Sequence, residues 1–157
     1  MRYAVLTTLL LTTLSYSQPI KAQTGESLEP LTNTQRQGIA RAISHFDRID
    51  LALKFGKMVE CRRLWDKNRN WVADTFTALP PGTLRTTAIK MGVAYKATID
   101  MLTLLSTDDP DLDKIEPIIK EYELQDLPPS EMPGAIYRVA LTRKKAVALI
   151  LADSPTK

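Results

Sequence analysis

From residue 32 onward, apolar side chains recur every three or four positions, the spacing of one face of an α-helix. Thr32 followed by Gln35 makes a capping-box pattern ahead of a stripe through Ile39, Ile43, Phe46 and Leu53. A second apolar series, Leu51, Phe55 and Met58, starts where Asp50 interrupts the first. A third runs through Cys61, Leu64, Trp65, Val72, Phe76 and Leu79 and closes at Pro80-Pro81-Gly82. One helix from Asn33 to Leu79 would be about 70 Å long, whereas a domain of this size has a radius of gyration of about 14 Å. The sequence therefore predicts two helices with a break near Gly56.

A third helix is predicted from Leu84, Ala88, Met91, Tyr95, Ile99 (or Thr98), Leu102 and Leu105, with Ala88 and Gly92 small enough to admit a close neighbour. Asp109-Pro110 predicts the start of a fourth, with Asp109 as N-cap and Pro110 in the first helical position. Pro117 lacks an N–H, so this helix should kink or divide into short turns carrying Ile115, Ile118, Ile119 and Tyr122 inward. A fifth should be capped by Ser130 and run from about Glu131 to Ala152, with Ile136, Val139, Ala140, Arg143, Val147 and Ile150 on one face. Residues 146–152 are all apolar, which predicts that this end is covered on every side. No strand alternation with hairpin turns occurs, so the fold class is all-α: an irregular bundle of about five helices in one domain, residues 32–157.

The N-terminus follows a different pattern. Arg2 precedes an apolar stretch, Ala4 to Leu14, too short for the roughly 20 residues of a spanning helix. Small residues follow, at Ser15-Tyr16-Ser17 and again at Ala22 after Ile20-Lys21. That order is the order of an export signal, and residues 1–22 are read as one, cleaved after Ser17 or, by preference, after Ala22. Residues 23–31, polar with Gly25 and Pro30, read as a flexible leader. No cysteine lies near either cleavage site to accept a lipid anchor. The expected location is periplasmic or secreted. The lack of any Asn-x-Ser/Thr acceptor or cysteine pair points to a bacterial envelope.

Charge matters chiefly through its layout. The signal segment holds two of the 21 basic residues and no acid, so removing it lowers the net charge from +3 to +1. Bulk charge then gives no argument for nucleic-acid binding. Residues 36–69 carry nine basic and four acidic groups, residues 105–131 two and nine, and residues 132–157 five and one. The simplest account is internal, with the acidic segment packed between or beside the basic ones. The sharper account is a charged face that selects a protein partner.

Candidate chemistry is sparse. One Cys excludes an internal disulfide, and one His excludes multi-histidine metal sites. Asp109, Asp111 and Asp113 have the opening spacing of a calcium loop, but Lys114 and Lys120 stand where that loop needs Gly and Glu, so helix capping is the better reading. Cys61 reads as a small buried hydrophobe. His45, one position off its stripe, reads as a partly exposed structural residue whose protonation Arg41 would depress. No catalytic set, metal site or cofactor is implied.

The remaining candidate is the basic and aromatic stretch of the second helix. Arg62, Arg63, Lys67, Arg69 and Trp71 are assigned as a partner-binding surface, with Trp65 in the core and Arg62 paired to Asp66. The expected function is that of an exported, soluble, non-enzymatic protein that binds another protein as an accessory subunit, chaperone or inhibitor. A second copy of the chain is the other partner considered. Two alternatives belong to different classes: a carrier of an apolar ligand lined by Met91, Met101, Leu102 and Leu105, and a hydrolase of envelope polymers using acidic residues.

Overall fold

The computed structural model describes Leu28 and residues 30–157. The stretch expected to be an export signal, residues 1–22, and all but the end of the expected leader fall outside the described residues. The described chain is all-α, with five helices: α1 (Asn33–Lys54), α2 (Met58–Thr77), α3 (Thr83–Leu105), α4 (Leu112–Glu121) and α5 (Met132–Asp153).

Local chemistry explains both ends of α1. The Thr32 hydroxyl accepts from the Gln35 N–H at 3.2 Å, while Gln35 Oε1 accepts from the Thr32 N–H at 3.0 Å. Two orphan donors at the start of α1 are thus satisfied reciprocally. At its other end, Gly56 takes a φ of 64°. The Gly56 N–H then donates to the Leu53 carbonyl at 3.0 Å and the Lys57 N–H to Ala52 at 2.9 Å. This is the Schellman pattern, which needs a left-handed residue that glycine supplies without steric cost. The expected break is therefore present, and the chain turns back along itself as α2.

Four helices close a ring: α1 packs on α2, α2 on α3, α3 on α5 and α5 on α1, with α3 and α5 sharing the most extensive contact. α4 leans on α3 and covers one end, where Ile115 and Leu124 meet Ala97, Met101, Met132 and Ile136. Inside the ring Phe46 is the hub. Its ring lies 4.4 Å from that of Tyr95 and 6.4 Å from that of Phe76, centroid to centroid. Gly38 lets α1 and α2 approach closely, since a Cβ there would come to 3.1 Å from the Thr75 methyl.

Several sequence expectations are corrected. Leu51 and Phe55 are 58% and 63% exposed, so the second apolar series is surface and not core. Asp111, not Asp109, precedes α4, and Pro110 lies outside the helix. The Asp111 carboxylate pairs with the Lys114 ammonium at 2.7 Å instead of capping the backbone. Pro117 sits inside a continuous α4; it and Asp113 are both exposed, so the carbonyl that the proline leaves without a donor is open to water. Ser130 does not cap α5, which begins at Met132 after Glu131. Ala148, Leu149 and Ala152 are exposed, Leu149 by 66%, because only one flank of the end of α5 faces α1 and α3. Finally, Leu31, placed in the leader, is buried. Its N–H donates to Pro155 at 2.9 Å and its carbonyl accepts from Lys157 at 3.1 Å, tying the start of α1 to the chain's end.

Candidate functional site

Two polar features stand out, one inside the ring and one on its surface. The inner one centres on Asp50, the residue that breaks the first stripe of α1. The Tyr95 hydroxyl of α3 donates to Asp50 Oδ1 at 2.7 Å, and the Tyr137 hydroxyl of α5 donates to the same oxygen at 2.9 Å. The Lys144 ammonium of α5 pairs with Asp50 Oδ2 and also with Asp47, the latter at 2.7 Å. The Asp50 and Lys144 side chains are 17% and 16% exposed. A charge so sheltered is tolerable only when paired and hydrogen-bonded, and here both Asp50 oxygens are engaged.

The electrostatics follow from that burial. Burial, followed by the bond to Asp50 and its charge, pushes the Tyr95 hydroxyl far above its ordinary range, and Tyr137 rises for the same reasons. Burial by itself would lower the Lys144 ammonium, but its bonds to Asp47 and Asp50 outweigh that and raise it. Cys61 is fully buried, and burial together with the Asp50 charge pushes its thiol up to about 11. It is a thiol at neutral pH, and a sulfur so placed does not reach a second folded copy. The cluster ties three helices together and presents no free acid.

His45 is buried, contrary to the partly exposed position expected for it, and its Nε2 has no hydrogen-bond partner. Burial lowers its pKa, with Arg48 adding to the effect; Arg41, the residue expected to do this, instead stacks its guanidinium 4.7 Å from the centre of the Trp71 ring.

The surface feature is a groove between α1 and α2, about 650 Å³ in volume. Arg41 and Arg48 line it from α1, Lys57 from the turn, and Arg63 and Lys67 from α2. One acid, Glu60, also lines it and makes a two-point bond to Arg63 at 2.7 and 2.8 Å. Arg63, through that hydrogen bond before its charge, holds the Glu60 carboxyl below the usual carboxylate range. The exposed Leu51 and Phe55 border the groove. Basic side chains thus surround an apolar strip, which fits an acidic, partly apolar segment better than a small neutral molecule.

The five residues assigned from sequence do not share one surface. Arg63 and Lys67 line the groove. Trp71 is half-buried and meets the groove residue Arg41. Arg62 turns toward α3, pairing with Asp66 at 3.1 Å and Asp100 at 3.4 Å. Arg69 lies on the α3 side of α2, beside Trp65 and Phe76. Arg41, Arg48 and Lys57 were not assigned to a partner surface from sequence; the net positive charge of residues 36–69 was the only sign of such a role.

Charge does not pair across the fold as the internal account expected. Among the described residues, no ion pair joins the acidic segment 105–131 to either basic segment; its one ion pair, Asp111 with Lys114, is internal. Met91 and Met101, named for the carrier alternative, are fully buried in the packed core. Among the described residues no helix is long and apolar enough to cross a membrane, and no three of His, Cys, Asp and Glu gather as a metal-ligand set. No protein-family model, curated protein or solved structure matches the chain.

Proposed function

We propose that this is an exported helical protein that binds another protein, taking an acidic segment of its partner into the α1–α2 groove. The supporting observation is the convergence of Arg41, Arg48, Lys57, Arg63 and Lys67 on one groove that holds a single acid, Glu60. Long basic side chains at such a rim steer an oppositely charged partner and set its register, while Leu51 and Phe55 supply the apolar contact that holds it. The pattern of residues 1–22 supports action outside the cytoplasm.

The test is a double reversal, Arg63→Glu with Lys67→Glu. Both side chains are exposed, and the change gives up only the surface Glu60–Arg63 bond, so thermal stability should fall slightly and the fold should be kept. Affinity capture from the native envelope, with bound proteins identified, should lose the wild-type partner, and binding of that partner to the wild type should weaken steeply with added salt. Unchanged capture by the reversed protein would exclude the groove.

A further inference from the structure

The other flank of α2 carries a second, chemically different depression, between α2 and α3, about 300 Å³ in volume. Its walls are Trp65, Val72 and Phe76 from α2 with Ile89 and Val93 from α3. Ile89 and Val93 count among the exposed large hydrophobic residues of the chain, so apolar surface here is left to water. Gly92 keeps the floor low: a Cβ there would come to 3.8 Å from the Phe76 ring, filling space that now stands open.

The two ends differ. α2 and α3 run antiparallel across the Pro80-Pro81-Gly82 turn, and Phe76 faces Gly92. Thr77 and Ile89 therefore lie at the turn end, and Arg69 and Lys96 toward the far end, with Trp65 one turn beyond Arg69. The Lys96 ammonium is bound to Asp100. Arg69 has no ion-pair partner among the described residues. The apolar trough thus carries, toward its far end, a guanidinium without an ion-pair partner, and a guanidinium matches a carboxylate with two parallel hydrogen bonds.

We propose that the α2–α3 cleft binds a single-chain fatty acid, its alkyl tail along Phe76 and Ile89 and its carboxylate at Arg69. The volume sits at the low end of the roughly 300–1,000 Å³ range of ligand pockets, which suits one chain and not a two-chain lipid. From Arg69 to Thr77 the helix rises about 12 Å, the length of a medium acyl chain.

Calorimetric titration with decanoate and with decanol tests this. The wild type should bind decanoate, and decanol roughly tenfold more weakly. Arg69→Gln should weaken decanoate roughly tenfold and leave decanol unchanged. Gly92→Leu should abolish binding of both; if that variant fails to fold by circular dichroism, Ala73→Leu fills the cleft from its exposed rim instead. Absence of decanoate binding at about millimolar concentration, equal affinity for the two probes, or an Arg69→Gln variant that binds decanoate normally would overturn the proposal. The Arg63→Glu/Lys67→Glu protein should bind decanoate normally, so the cleft and the α1–α2 groove stand or fall separately.

Discussion

Asp50→Ala is the most informative perturbation of the fold. It removes the acceptor of two tyrosine hydroxyls and one of the two carboxylates on Lys144. Tyr95 is fully buried, so its hydroxyl would lose its partner with no water in reach, costing about 1–3 kcal/mol. Tyr137 is half-buried and can turn to solvent, adding about 0.5–1 kcal/mol. Lys144 keeps Asp47, but that acid is itself exposed, and a further 1–2 kcal/mol or so goes with the lost sheltered pair. The expected loss is about 3–5 kcal/mol, a large part of the roughly 5–15 kcal/mol by which a domain is stable. Asp50→Asn keeps one oxygen for both tyrosines but turns an amide N–H donor toward the Lys144 ammonium in place of the second oxygen, so the ion pair goes and about 1–3 kcal/mol should be lost. Urea unfolding followed by far-UV circular dichroism reads both, and the alanine variant should shift the midpoint by about 2 M at unchanged slope. The alkaline limb gives an independent check. Tyr95, Tyr137 and Lys144 all have pKa values raised by folding, so the folded state holds their protons longer than the unfolded chain. Their contribution is complete below the ordinary values of about 10 and is lost as pH rises beyond them. Wild type should lose stability steeply there, and Asp50→Ala should lose less. An alanine variant within about 0.5 kcal/mol of wild type, or one more stable than Asp50→Asn, would refute the view that this cluster ties the bundle.

Two further outcomes are expected. The folded pKa of His45 lies below its ordinary 6.5, so the unfolded chain takes up the proton first and stability should fall as pH drops through 6.5; His45→Gln should flatten that decline in thermal melts, and an unchanged slope would count against a buried neutral imidazole. Leu31→Ala should cost about 2–4 kcal/mol, measured by the same urea unfolding, whereas a truly mobile leader residue would cost nothing.

Helix identity and the inward face of each helix were legible because they depend on spacing within one segment. The stripe of α3 and the break at Gly56 needed no knowledge of the rest of the chain. Which stripe finds a cover does not follow from spacing. Leu51 and Phe55 continue a helical pattern as well as Ile39 and Phe46 do, yet only the latter meet neighbouring helices. Asp50 looked like an interruption because its three partners lie 45, 87 and 94 residues away. The scatter of the basic stretch in α2 had a local cause that spacing does reveal. Arg63 and Lys67 are four apart and share one face, whereas Arg62, Asp66 and Arg69, spaced at four and three, share the next, toward α3. Treating all five residues as one surface ignored the turn of about 100° between neighbours.

The way the helices are joined bears on what α2 does. Asp50 binds α1 to α3 and α5 through sheltered polar contacts, and none of these reaches α2. The polar bonds of α2 to its neighbours are the Arg62–Asp100 pair and a bond from the Gln35 amide to the Ala78 carbonyl just past its end, both exposed. It is otherwise seated by packing, with Cys61, Trp65, Val72 and Phe76 turned inward. That division matches the chemistry on its flanks. Side chains spent on internal hydrogen bonds are not available to a partner, and in α2 Lys67 and Arg69 make no ion pair among the described residues while the Glu60–Arg63 pair lies at the surface. A three-helix frame joined by sheltered polar bonds therefore carries one helix whose two flanks open onto a basic groove and an apolar cleft. Sheltered polar bonds are gathered on α1, α3 and α5, which leaves most polar side chains of α2 facing solvent.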